Sequence, residues 1–81
     1  MLRMMTKTKL SPEEAIKRAV AFFGPVGYGL KVKEQDDCCA YFEGGGGGVE
    51  VTASTEKKGT FVELVSREWD YQVTEFIGMI N

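Results

Sequence analysis

CCAYFEGGGGGVEVTA, residues 38–53, is the stretch on which the reading of the fold turns. Cys38–Glu43 reads as a strand, apolar on both faces until Glu43. After the five glycines Gly44–Gly48, Val49, Val51 and Ala53 alternate with Glu50 and Thr52, the period of a half-buried strand. An ordered glycine costs roughly 0.5–1 kcal/mol relative to alanine, because its unfolded ensemble is so broad. Five of them cost on the order of 3–5 kcal/mol, a large share of the roughly 5–8 kcal/mol expected of so small a domain. The run is therefore either mobile, or placed where the backbone does something that side chains would forbid. The sequence leaves both open. The expected use is a hairpin connection or bulge.

Reading outward, Tyr28, Leu30 and Val32 alternate with Gly29, Lys31 and Lys33 as a strand, and Glu34–Asp37 makes a turn. Downstream, Thr55–Gly59 reads as a hairpin turn and Thr60–Ser66 as a fourth strand. Ser11-Pro12-Glu13-Glu14 is a helix start: a capping serine, proline at the first helical position and a glutamate to close a capping box. Ile16, Ala19, Val20 and Phe23 follow as one apolar stripe, and Gly24-Pro25 ends it. Trp69, Val73, Phe76, Ile77 and Ile80 share a face of a second helix, with Ser66 or Asp70 available to cap.

The predicted helices run near Ser11–Phe23 and Arg67–Ile80, on either side of four strands. The connections between strands are too short for parallel crossovers, so the strands form an antiparallel meander. The expected fold class is α+β, a two-layer sandwich of order α-β-β-β-β-α with both helices on one face. Residues 11–81 form the single domain. Residues 1–10 carry no apolar h-region, and the expectation is a flexible N-terminal arm.

Composition narrows function by exclusion. A hydrophobic fraction of 43% argues against bulk disorder. The formal charge of -2, with both signs interleaved, lacks the concentrated basic face that duplex nucleic acid or an anionic membrane requires. Cys38 and Cys39 are the two cysteines, and there is no histidine, so a structural zinc site is disfavoured and no metal is expected. As strand neighbours the two cysteines would point to opposite faces, which disfavours a disulfide between them. Two reduced thiols fit a cytoplasmic setting, which is the expected location.

The glycine run fails as a phosphate loop. Neither G-x-x-x-x-G-K-[ST] nor G-x-G-x-x-G is satisfied, and the run leads into a strand rather than a helix N-terminus. No serine or cysteine stands beside an evident base, so nucleophilic catalysis has no visible machinery and no cofactor is expected. Glu43 and Glu50 flank the glycines and are read as facing each other across the hairpin, an arrangement that like charges disfavour. Asp36-Asp37 reads as a solvated turn.

The face away from the helices is the informative one. If Val62, Leu64, Ala40 and Phe42 point inward, then Phe61, Val65, Cys39 and Tyr41 point outward. Scattered apolar groups are ordinary on a surface, whereas a contiguous patch calls for a covering chain. The first reading is a non-enzymatic interaction domain that forms a homodimer through Cys39, Tyr41, Phe61 and Val65. The alternative is a small-molecule binder with an apolar cleft between helices and sheet, near Trp69, Tyr71 and Gly46. Stacking of single-stranded RNA on Tyr41 and Phe61 is a weaker third reading, opposed by Glu43, Glu50 and Glu63.

Overall fold

The computed structural model describes all 81 residues, Met1–Asn81. Seven elements follow in order: β1 (Leu2–Thr8), α1 (Pro12–Phe23), β2 (Lys31–Gln35), β3 (Cys39–Gly44), β4 (Gly47–Glu56), β5 (Gly59–Arg67) and α2 (Asp70–Ile80). The strands form one antiparallel sheet of order β1-β5-β4-β3-β2. Both helices pack on the same face, α1 over β3 and β4, and α2 over β5 and β1. The α+β class and the β2–β5 meander are as the periodicity predicts.

The strand count is not. The segment expected to be a mobile arm is β1, a fifth strand, paired with β5 from Leu2↔Ser66 to Thr8↔Thr60. Leu2, Met4, Thr6 and Thr8 turn toward the helices, while Arg3, Met5 and Lys7 turn away. Two side-chain bonds tie the strand to the end of α2. The Thr8 hydroxyl donates to the Ile80 carbonyl at 2.6 Å, and the Thr6 hydroxyl donates to Asn81 Oδ1 at 2.9 Å. Thr8 thus satisfies one of the carbonyls that the end of a helix leaves without an intrahelical partner. β1 and β2 lie at opposite edges, and α1 carries the chain across the sheet between them.

Boundaries also shift: β2 runs on through Gln35 into the expected turn, β4 starts at Gly47 rather than Val49, and the turn expected over Thr55–Gly59 shrinks to Lys57-Lys58. β2 starts at Lys31 rather than Tyr28, because Gly24–Gly29 closes a compact turn in which the Tyr28 and Leu30 N–H groups bond back to the Phe22 and Phe23 carbonyls. The third strand starts at Cys39, not Cys38. The second helix starts at Asp70 rather than Arg67: Ser66 Oγ accepts the Trp69 N–H at 3.2 Å, and Glu68 takes a φ of 69° at the corner.

The core lies between sheet and helices. Ala40 and Phe42 of β3, Val49, Val51 and Ala53 of β4, and Val62 and Leu64 of β5 meet Ala15, Ile16, Ala19 and Phe23 of α1 and Val73, Phe76 and Ile80 of α2. At the start of α1, Ser11 Oγ accepts the Glu14 N–H at 3.1 Å, and the Glu14 carboxylate stands 3.5 Å from Arg18. Ser11→Ala should cost about 1 kcal/mol, read as a lower urea midpoint at unchanged slope. A loss below a few tenths would mean the cap carries no stability.

The glycine run serves the β3–β4 hairpin. Gly44 pairs with Gly47, so Gly45 and Gly46 alone make the turn, with φ of 59° and 80°. Positive φ at both central residues is what a tight type I′ hairpin requires. The β4–β5 turn, Lys57-Lys58, lies at the opposite end of the strands.

Candidate functional site

The sheet has one helix-covered face and one bare face, and strand register decides what stands on the bare one. Across the sheet, Lys7, Phe61 and Ser54 form one row of neighbours, and Met5, Glu63, Thr52 and Cys39 the next. The third row is Arg3, Val65, Glu50, Tyr41 and Glu34. Arg67, Gly48, Glu43 and Lys31 complete the face near the glycine turn. The register thus brings Cys39, Tyr41, Phe61 and Val65 to a single face, all four half-buried.

They are interleaved with charge. Glu63 separates Phe61 from Val65 along β5, and Glu50 lies between Val65 and Tyr41 across the strands. Glu50 and Glu43 do not face each other as the sequence reading had it: Glu50 lies opposite Tyr41, and Glu43 opposite Gly48. Arg3 stands 3.6 Å from Glu63, and Lys7 stands 3.1 Å from Glu56. The Tyr41 ring lies over Gly48, where a Cβ would come within 3.0 Å of its hydroxyl oxygen. That hydroxyl donates to Glu43 at 3.1 Å and accepts from Arg67 at 3.3 Å.

Sequence reasoning missed Arg3, Met5 and Lys7, because it had no strand to put them on. Met5 is the most exposed apolar side chain that β1 adds to the face, at 58%. The signal present was the period of two over Leu2, Met4, Thr6 and Thr8, obscured by Met5 and by threonines on the covered side.

The residues read as a ligand cleft are dispersed. The Trp69 indole N–H donates to the Gly44 carbonyl at 2.9 Å, and its ring packs against Gly45 and edge-on to Tyr28 at 5.9 Å. Trp69 therefore clamps the hairpin tip to the start of α2. Tyr71 stands in solvent at 74% exposure. Gly46 lines a shallow depression of about 380 Å³ with Lys31, Glu43, Gly44, Gly47 and Arg67, and neither Trp69 nor Tyr71 takes part in it. It is lined by charged residues and glycines with no apolar side chain, which does not match an apolar cleft.

Within each of two separate clusters, polar side chains perturb their neighbours. The Tyr28 hydroxyl donates to Glu75 at 2.7 Å, and that bond to a carboxylate holds its pKa above the ordinary phenol value. At the β2–β3 turn, Asp36 Oδ1 accepts the N–H groups of Cys38 at 3.0 Å and Cys39 at 2.8 Å, which lowers its pKa. Cys38 precedes the strand, so the opposite-face expectation for the two thiols fails: their sulfurs lie 3.5 Å apart. The hydrogen bond and the charge of Cys39 push the Cys38 thiol up to about 11.

Comparison with protein-family models, with curated proteins and with solved structures finds no match to this chain. No helix is long and apolar enough to cross a membrane.

Proposed function

We propose that this chain is a small, non-enzymatic interaction domain that self-associates by setting the bare face of its sheet against the same face of a second copy. What supports the reading is a five-stranded sheet with a helical layer on one side only, and Cys39, Tyr41, Phe61, Val65 and Met5 standing together on the other. A two-fold axis lying in the plane of the interface, parallel to that face, would oppose like patches, the commonest geometry of a homodimer. The face carries both signs of charge, and Arg3 and Glu63 already pair within the chain, so a second copy meets no uniform repulsive field. A specific interface of about 800 Å² per partner would cover roughly a sixth of the 4911 Å² surface.

Sedimentation at micromolar concentration tests the proposal. The wild type should run as a dimer, and Phe61→Glu as a folded monomer, since the substitution puts an unpaired charge at a desolvated contact. A wild type that stays monomeric removes self-association. A dimer untouched by Phe61→Glu removes the bare face as its surface.

A further inference from the structure

We propose that Asp36, Cys38 and Cys39 form a surface chelate for one thiophilic metal ion of the zinc–cadmium class. The three residues come from one turn, and their sulfur and carboxylate ligand atoms all lie within 4.8 Å of one another. Consecutive cysteines in an extended strand would diverge. Here the bend ahead of β3, fixed by both cysteine N–H groups converging on Asp36 Oδ1, turns the two thiols to the same side.

The spacing suits a single ion. Two sulfurs 3.5 Å apart, each at about 2.3 Å from a common centre, subtend roughly 100°, close to the tetrahedral angle that zinc adopts. Both backbone bonds end on Oδ1, so Asp36 Oδ2 is left to take the third position. Two sulfurs and one oxygen favour a borderline or soft ion over magnesium or calcium, which take oxygen ligands. Cys38 is exposed and Cys39 half-buried, so the remaining coordination position is open to water or to an incoming donor. Such a site exchanges its ion, unlike a closed four-ligand structural centre.

Binding is a substitution without electron transfer. Each thiol enters as thiolate and gives its proton to the buffer, two protons per ion, and the two metal–sulfur bonds replace the two sulfur–hydrogen bonds. All three ligands belong to one chain, so no second copy is needed to complete the site. Cys39 also stands on the face proposed above for self-association, and the ion is therefore titrated with and without dimerisation.

The test is a titration of the reduced protein with Cd²⁺, followed by the ultraviolet sulfur-to-cadmium charge-transfer band. It is run in parallel on Phe61→Glu, to separate it from dimerisation. The expected result is one ion per chain at micromolar Cd²⁺ in both proteins, undisturbed by excess Mg²⁺. Cys38→Ser and Cys39→Ser should each weaken binding by about a hundredfold or more, at least the loss that follows removal of a supporting outer-shell group. Asp36→Asn keeps the acceptor for the two N–H groups and removes the anionic ligand. It should weaken binding by at least about tenfold. A missing band, one ion shared between two chains, or an Asp36→Asn variant with wild-type affinity would each overturn the three-ligand site.

Discussion

Gly47→Ala is expected to destabilise the fold by about 3 kcal/mol, more than alanine at any other position of the glycine run. A Cβ at Gly47 would collide with the Arg67 carbonyl oxygen and come within 2.8 Å of Glu68 Cβ. Neither can yield cheaply. Arg67 ends β5, and Glu68 holds its positive φ at the corner leading into α2. At Gly46 a Cβ meets open space, so the cost there is the left-handed backbone alone, about 1 kcal/mol. Gly44→Ala should stay within about 0.5 kcal/mol: its Cβ makes ordinary contact with Leu30 at 3.5 Å, and its φ is not positive. Urea denaturation of the three variants gives the order directly. If Gly46→Ala proved costlier than Gly47→Ala, the turn and not the β5–α2 corner would be the tight point.

That order explains why the glycine run was legible only in outline. Sequence alone shows that five ordered glycines need a reason. Gly45 and Gly46 have a local one, the turn. Gly47 is constrained by a carbonyl twenty residues later, and Gly48 by the Phe42 carbonyl oxygen and the Tyr41 ring on the neighbouring strand. Contacts of that range are set by register, which alternation does not supply across a turn of unknown length. The faces of the strands were legible for the opposite reason. Val62 and Leu64 against Phe61 and Val65 is a choice between two sides of one strand, and the helices claim the aliphatic pair. β1 was hidden because Met and Thr alternate with weak contrast, and its partner β5 lies more than fifty residues away. The thiol pair was misread because Cys38 was counted as strand, whereas an aspartate accepting two N–H groups had already bent the chain.

Phe23→Ala should give the largest loss of any core substitution, about 3–5 kcal/mol. Phe23 ends α1 fully buried, and its ring lies 5.6 Å from Phe42 of β3, 5.4 Å from Phe76 of α2 and 4.9 Å from Phe22. It is the point where α1, α2 and the sheet meet. Truncation removes its transfer free energy, leaves a cavity and breaks aromatic pairs worth about 0.5–1.5 kcal/mol each. Against the roughly 5–8 kcal/mol expected of so small a domain, that loss takes about half or more of the stability, so the variant should unfold at a much lower urea concentration. Phe61→Ala is the matched control: the same atoms are removed from the half-buried bare face, and the monomer should lose only about 1 kcal/mol. Far-ultraviolet circular dichroism and urea midpoints, measured at concentrations below any dimer, separate the two. Equal losses at Phe23 and Phe61 would mean that the aromatic junction between the helices does not hold the layers together.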